Sequence, residues 1–525
     1  MRIFAYKPGH DGHVAAIEDG GLVFSIEAEK DSGKRYGPIA TDMLLDSLQK
    51  LDWVPDVMAT SGWMREFRPM ADPIGAGYYG FDGNSIISSE TKMMGRSVRY
   101  FSSSHERSHL IGSYAMSPFP QGEPVYALVW EGVIGNFYRI DEDLVVTKIG
   151  SPFNGPGHKY GFLYGLADPA YPLDARKSRR EDAGKLMALS GFGEDVAQTP
   201  EEAALIEQIL GWDASEYPLM KKDFADSPFC NIGLDSQEFR NLAKRFQNEI
   251  FGRFCAFAEE NMKERLPILV SGGCGLNCDW NSEWRGCGLF ADVFVQPCTN
   301  DSGSAIGTAV DAQFHYTGNA KLDWTVYAGE RFVHDETDLN GFDVARLDLR
   351  DFVTDLSDGK IFAWVTGRYE IGPRALGNRS LIAAPFTTET HRRLNAIKKR
   401  EGFRPIAPIL MEEELDRLFN NHGPSPHMLY FQTVKTDSLK AVTHVDGSAR
   451  AQTVNASQNP EMYRLLEAFR AKTGYGVLCN TSLNFNGRGF INRMSDLVAY
   501  ALQTGLDGFV VDGTIYHRHD HAGVS

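Results

Sequence analysis

Residues 125–150, VYALVWEGVIGNFYRIDEDLVVTKIG, repeat the layout of residues 2–27, RIFAYKPGHDGHVAAIEDGGLVFSIE. Each stretch holds three runs of apolar, β-branched and aromatic residues, with an acid and glycines at its first turn. Such runs read as strands, and Asp19-Gly20-Gly21 offers the positive φ that a tight hairpin demands. Two meanders of this kind predict a duplicated α/β unit. After the first, Leu44, Leu45, Leu48 and Leu51 recur at helical spacing, so a helix is expected from Thr41 to Leu51.

Farther along, PILVSGGCGLNC (267–278) is a buried-strand run that ends in glycines. VFVQPCTNDSGSAIGTAVDAQ (293–313) reads as a strand, a Gly/Ser turn and an Ala-rich helix. Junctions of this type aim backbone N–H groups at a place where an anion or nucleotide can sit. From about residue 340 the runs IFAWVTGR, LIAAP, RPIAPILM, MLYFQTV, GVLCNTS and GFVVDG predict a second, mixed sheet. Asn459-Pro460 opens a helix with Met462, Leu465, Leu466 and Phe469 on one face, and Gly474 closes it. The boundary is placed between Gly329 and Phe342, giving domains of residues 1–338 and 339–525.

The 525 residues are too many for one compact domain. No apolar stretch reaches the ~20 residues of a membrane span, and the charged N-terminus is no signal peptide. Seven dispersed cysteines form neither a disulfide framework nor a zinc set, which predicts reduced thiols and a cytoplasmic protein. The net charge of −16 disfavours nonspecific hold on nucleic acid, but not a local pocket for a small anion.

His105-Glu-Arg-Ser-His109 is the sharpest local signal: residues i and i+4 share a helix face, so both imidazoles can point at one cation. No third histidine lies close downstream, which argues against a zinc protease; the pair is otherwise either structural or completed by acids, and Glu131 and Asp301 stand at the turns described. Such a set suits Fe²⁺, Mn²⁺, Zn²⁺ or Mg²⁺ beside a phosphate. His10-Asp11 is either a plain Gly-His-Asp-Gly turn or a general base with its orienting acid, with His13 as competitor. In the second half, Arg374 and Arg379 could grip phosphates bidentately. Arg392, Arg393, Lys398, Lys399, Arg400 and Arg404 follow with only Glu401 opposing them, and Asn480 and Ser482 add neutral groups.

These blocks, taken in order with AGKLMALSGFG, REGFRPIAP, SPHMLYF, THVDGSARAQTV and NTSLNFNG, resemble the O-carbamoyltransferases of nodulation factors and antibiotics. The resemblance runs from residue 10 to about residue 490. It implies a Kae1-like domain of the actin and sugar-kinase superfamily followed by a YrdC-like domain. The second would make carbamoyl adenylate from ATP and carbamoyl phosphate, and the first would pass the carbamoyl group to a hydroxyl. On that basis His105, His109, Asp301 and Glu131 bind the divalent metal (Fe²⁺, Mn²⁺ or Mg²⁺), with Glu131 standing where the family has Asp. His10 is the general base, oriented by Asp11. Lys185, Gly272, Gly273 and Asn277 belong to the nucleotide site. Lys398 and Arg404 surround carbamoyl phosphate and ATP, with Arg374, Arg379, Arg400, Arg450, Ser425, Met428, Asn480 and Ser482. Asn486 replaces a family Arg, with Arg488 two residues on.

FAYKPGHDG, SIEAEKDS, SGW, PIGAGYYG and VWEGVIG are most similar to family members that carbamoylate a 3-hydroxymethylcephem, which implies a small-molecule hydroxymethyl acceptor. A 5-hydroxymethylpyrimidine nucleotide or hydroxymethylcytosine in DNA would serve the same chemistry. An actin-like ATPase or kinase, or a noncatalytic nucleotide sensor, are the readings from other classes; the kinase leaves the arginine-rich half without a task.

Overall fold

The computed structural model describes residues 1–65, 72–174, 179–213, 218–420 and 423–519. Both meanders are present. Strands Arg2–Lys7, His13–Glu18 and Gly21–Glu27 pair antiparallel in turn, with Ala5 opposite Ala15. Val57–Ser61 then joins parallel on the free side of the first strand, after a crossover that carries the helix Thr41–Gln49. Strands Arg96–Ser103 and Ile86–Met93 complete that sheet. The second sheet repeats the plan with Val125–Trp130, Gly135–Ile140 and Val146–Gly150, followed by parallel Ile268–Ser271 and Val293–Val295. Each runs third, second, first, fourth, so the two sheets share one strand order as the duplication predicts. In the helix Thr41–Gln49, Leu44 and Leu48 pack inward as the spacing predicts, but Leu45 is 55% exposed.

An eight-stranded mixed sheet carries the C-terminal segment, in the order Phe342–Arg346, Thr514–Arg518, Gly508–Val511, Phe362–Val365, Arg379–Ala383, Val477–Ser482, Ala407–Met411, Gln452–Val454. Apolar clusters cover both of its faces. One face receives the helix Pro460–Thr473, whose Met462, Leu465, Leu466 and Phe469 are fully buried. Asn459 caps that helix by accepting from the Met462 N–H at 3.1 Å, and Gly474 ends it at φ +81°.

The chain divides into two compact units. The first comprises Met1–Thr60, Ser89–Phe101 and Leu322–Ser525; the second comprises Ser61–Ser88 and Ser102–Lys321. The first repeat's meander is thus grouped with the C-terminal sheet. Backbone hydrogen bonds show why: within the first unit, Leu22 N–H donates to Asp323 O at 2.8 Å and Ser32 N–H to Phe490 O at 2.7 Å. Arg493 and Asp31 form an ion pair in the same region.

In the second unit the helix His105–Met116 lies against Ser304–Thr317 at a glycine contact. A Cβ on Gly307 would fall 2.0 Å from the Ser108 carbonyl oxygen, which no side-chain movement relieves. Gly307→Ala is therefore expected to destabilise the unit by about 3 kcal/mol. A lower midpoint of chemical denaturation would show it, and an unchanged midpoint would contradict so close an approach.

Candidate active site

The metal-type cluster is built from three junctions of the second unit. Ser104 caps the histidine helix by accepting from the Arg107 N–H at 3.1 Å, so His105 and His109 stand one turn apart on a common face. Glu131 follows the strand Val125–Trp130, and Asp301 opens the short 3₁₀ turn before Ser304–Thr317. The ligand atoms all lie within 4.8 Å of one another. His105 Nε2 and His109 Nε2 are 3.2 Å apart, Glu131 Oε2 is 3.3 and 3.5 Å from them, and Asp301 Oδ1 is 3.5 and 3.6 Å from them. All four residues are buried.

Electrostatics show what this set is built around. Burial works to neutralise the His109 imidazole, but hydrogen bonds to Asp301 and Glu131 overcome it and raise it to about 9. Burial likewise opposes ionisation of Glu131, yet the two imidazoles hold its carboxyl well below the ordinary value. Two buried carboxylates facing two converging nitrogens favour positive charge among them, supplied by an imidazolium or by a cation. Two nitrogens and two oxygens fit Fe²⁺, Mn²⁺ or Zn²⁺ by donor type, and Glu131 reaches the cluster despite its longer arm. The Nδ1 atoms of both histidines are buried and make no hydrogen bond among the described residues. Packing orients His105 instead: Tyr78 stacks on it at 4.4 Å, Trp63 meets its edge at 5.0 Å, and Tyr78 O–H donates to Glu131 Oε1 at 2.7 Å. Alanine at both histidines is expected to abolish stoichiometric divalent metal binding by elemental analysis; unchanged metal content would return the pair to a structural role.

The residues between the histidines have their own work, which the sequence reading missed. Arg107 forms a bidentate pair with Asp311 at 2.7 and 2.8 Å, clamping the histidine helix to the helix that follows Asp301. Glu106 accepts from Gly80 N–H at 2.8 Å, from Asn136 at 3.1 Å and from Tyr138 O–H. The i, i+4 spacing of HxxxH drew attention away from these intervening positions. Tyr78 and Trp63 lie in PIGAGYYG and SGW, blocks that were legible only as family likeness.

In the glycine loop, Gly272 adopts φ +94° and a Cβ there would meet Trp130 O at 2.4 Å, so the loop lies directly on the Glu131 turn. A Cβ on Gly273 would meet nothing. Asn277 caps the helix Cys278–Gly286, accepting from Asp279 N–H at 3.0 Å. Lys185, on Asp182–Ser190, holds its ammonium 5.6 Å from the Tyr164 ring centre.

In the first unit, His10 Nδ1 is 2.7 Å from Asp11 Oδ2. That contact makes Nδ1 the protonated nitrogen and leaves Nε2 as the basic one, a tautomer assigned from the hydrogen bond. His13, 3.2 Å from the Asp11 carbonyl, is fully buried, whereas the His10 side chain is 26% exposed. Exposure favours His10 over His13 as the base.

The basic run splits in two. Arg392 pairs with Glu389 at 2.7 Å on the helix Thr388–Ile397, and Arg393 with Asp507 at 3.1 Å. Lys398, Arg400 and Arg404 instead form a cation cluster with Arg450. Burial, then Arg400, Arg35 and Arg404, depress the Lys398 ammonium strongly. Burial, then Arg404 and Arg450, lower Arg400 to about 9. Burial is also the main cause of the fall at Arg404, with Arg35 and Arg450 adding to it against Glu401. Lys398 Nζ donates to Ser482 O at 2.5 Å, to Asn484 O at 3.2 Å and to the Asn484 side chain. Arg404 is held through its carbonyl, which lies 3.0 Å from both His391 Nε2 and Asn395 Nδ2.

Arg35 is a further member the sequence did not suggest. Its N–H donates to Gly487 O at 3.2 Å, and Asn486 Nδ2 donates to Lys399 O at 3.4 Å. The N-terminal segment is thereby tied to the loop that holds Lys398. Asn486 itself serves as backbone support, and the Arg488 guanidinium lies 5.7 Å from the Phe485 ring.

Several side chains of the same unit keep one buried polar atom unsatisfied among the described residues. The side chains of Ser425, Arg450, Asn480 and Tyr500 each keep a buried atom that makes no hydrogen bond among the described residues: Oγ, Nε, Oδ1 and O–H. Ser425 N–H donates to Thr453 Oγ1 at 2.9 Å, and Asn480 donates to Gln452 at 2.9 Å, so the Arg450–Val454 stretch links them. Met428 is buried at φ +55° in the same block, and Arg374 is half-buried on the loop after Gly372. Arg379 differs from the expectation. Its five N–H groups go to Asn492 twice and to the carbonyls of Thr366, Gly367 and Asn378, at 2.7–3.0 Å, leaving none for a phosphate. It braces the loop rather than gripping a ligand.

A duplicated α/β repeat thus carries a histidine–carboxylate cluster, and a mixed sheet carries a cation cluster. The family models for the N-terminus and C-terminus of carbamoyltransferases match residues 87–310 and 353–518, and the chain belongs to the carbamoyltransferase family. It is 49% identical to 3'-hydroxymethylcephem-O-carbamoyltransferase of Amycolatopsis lactamdurans, over 99% of both chains. It is 47% identical to the Streptomyces clavuligerus protein of the same name over 99% of each. Nodulation protein U of Rhizobium tropici is 33% identical over 93% of this chain and 92% of its own. The chain is an O-carbamoyltransferase. Full-length HypF in its phosphate- and nucleotide-bound form overlays at TM-score 0.31 and 13% identity, over 61% of this chain and 56% of that one, too remote to add to the assignment. Among the described residues no helix is long and apolar enough to cross a membrane.

Proposed function

We propose that the enzyme converts carbamoyl phosphate and ATP to carbamoyl adenylate and transfers the carbamoyl group to the hydroxymethyl of a small heterocycle, with a 3-hydroxymethylcephem as acceptor. The observation that carries the first step is the cation cluster of Lys398, Arg400, Arg404 and Arg450. Burial and the neighbouring cations depress Lys398, Arg400 and Arg404, a cost that a bound polyanion offsets. Two polyanions approach each other only where fixed cations cancel their repulsion. The balance is carbamoyl phosphate, ATP and water to carbamoyl adenylate, phosphate and pyrophosphate. Arg374, Ser425, Asn480 and Tyr500 would supply the remaining polar contacts, and Arg35 a further cation.

His10 then takes the acceptor's hydroxyl proton on Nε2 as its oxygen attacks the carbamoyl carbon, and AMP departs. Asp11 fixes the tautomer throughout. A divalent ion held by His105, His109, Glu131 and Asp301 would supply electrostatic stabilisation of the nucleotide phosphates, with Gly272, Gly273 and Asn277 shaping the adjoining loop. Lys185 is assigned to the same nucleotide site. The domain division follows as part of the proposal: adenylate formation on the C-terminal sheet, and transfer on the duplicated α/β repeats.

The cephem is preferred to a hydroxymethylpyrimidine because two relatives near one-half identity carry that acceptor in their names. Incubating the enzyme with ATP, labelled carbamoyl phosphate and equimolar 3-hydroxymethylcephem, 5-hydroxymethylcytidine phosphate and hydroxymethylated DNA decides it. The label should enter the cephem; preferential labelling of either other acceptor would overturn the acceptor assignment while leaving the reaction type standing.

A further inference from the structure

We propose that Cys255 and Cys287 form an oxidisable dithiol, closed to an intrachain disulfide by exchange with a low-molecular-weight disulfide. The inference starts from the packing of two helices in the second unit, Gln237–Asn261 and Cys278–Gly286. They meet in matched rungs. Gln247 accepts from Trp280 Nε1 at 3.0 Å through its carbonyl and donates to Asp279 at 2.9 Å. One turn on, Phe251 and Trp284 meet edge to face at 4.7 Å. The next rung in the same register sets Cys255, one turn past Phe251, toward Cys287, three residues past Trp284, whose carbonyl accepts from the Cys287 thiol at 3.2 Å; the two cysteines shift each other's ionisation. Neither is sealed in the core: both are half-buried, unlike Cys274, Cys278, Cys298 and Cys479.

The surroundings favour reaction at Cys287. It ends its helix, with its N–H donating to Glu283 O at 2.8 Å, and it stands between Gly286 and Gly288, both exposed. A Cβ on either glycine would meet nothing, and Gly288 takes φ +76°, so the backbone can adjust to the dihedral a disulfide requires. Cys255 also draws the Cys287 thiol down, toward the reactive thiolate, and is itself pushed up.

The chemistry balances without a cofactor. Cys287 loses its proton and its thiolate attacks one sulfur of the small disulfide; the S–S bond breaks, a thiolate leaves, and a mixed disulfide forms. Cys255 then attacks the Cys287 sulfur, expelling the second small thiolate. The two protein protons end on the two released thiols, the protein pair is oxidised, and the small disulfide is reduced.

The test uses the full chain with oxidised glutathione, quenched with iodoacetamide and read by intact mass and peptide mapping without reduction. Wild type should lose two alkylatable thiols and give a Cys255–Cys287 cross-linked peptide that dithiothreitol reverses. Cys255→Ser should stop at one glutathione, on Cys287, and Cys287→Ser should give no cross-link and modify no faster than Cys230. Failure of wild type to cross-link, or glutathione accumulating on both cysteines without closure, would overturn the proposal. None of these readouts depends on carbamoyl transfer.

Discussion

Alanine in place of His10 is expected to cut carbamoyl transfer by about a hundred- to ten-thousandfold, the range of a lost general base, while carbamoyl adenylate still forms. The acceptor hydroxyl is far too weak an acid to lose its proton before attack, so its oxygen gains nucleophilicity only as a nearby base takes that proton. His10 presents Nε2 for the purpose because Asp11 occupies Nδ1 at 2.7 Å. Asp11→Asn should retain part of the activity, since the amide can turn its oxygen to Nδ1–H but no longer stabilises the imidazolium that forms. Both variants are read by separating two signals: carbamoyl-phosphate-dependent pyrophosphate release and appearance of carbamoylated acceptor. Loss of both signals in His10→Ala would refute the division of labour between the two steps.

The converse variant is Arg404→Ala. It is expected to lower adenylate formation by about a hundred- to thousandfold, the cost of removing one preorganised charge from a developing anion. Arg404 faces Arg35 and Arg450 across a half-buried site, and its backbone is fixed by His391 and Asn395. The substitution therefore removes charge without releasing the chain. Chemically supplied carbamoyl adenylate should still be consumed at close to the wild-type rate. Undiminished ATP-dependent turnover would show that the polyanions bind elsewhere. Lys398 makes a less clean probe, because its ammonium also ties Ser482 to Asn484 and its loss would loosen the loop.

The sequence exposed those features of the fold whose physics is local. The two meanders were legible because strand composition and turn chemistry coincide twice, and the helix after Asn459 because its cap, apolar face and terminal glycine agree. The pairing of His105 with His109 needed only helical periodicity. What periodicity cannot show is which distant segments close a site. Nothing at Arg35 distinguishes it from a surface arginine until its N–H is seen on Gly487, more than four hundred residues away in sequence. Arg379 failed in the opposite direction: a guanidinium in a glycine-spaced loop looks like a phosphate ligand, but here burial required that all its donors be satisfied by the protein. The basic run misled for the same reason, since charge density alone does not tell Arg392, paired on a solvated helix face, from Arg400 one turn beyond its end. Arg107 and Glu106 were hidden by their neighbours, and only the packing of helix on helix gives them a task.

The measurement closest to the centre of this account follows one labelled carbamoyl group from carbamoyl phosphate through a single turnover with ATP. In the absence of acceptor, acid quench should capture label on AMP with equimolar pyrophosphate. Adding the hydroxymethylcephem should then move that label to the acceptor oxygen and release AMP. Formation of ADP, or of labelled product with no ATP present, would contradict the adenylate route.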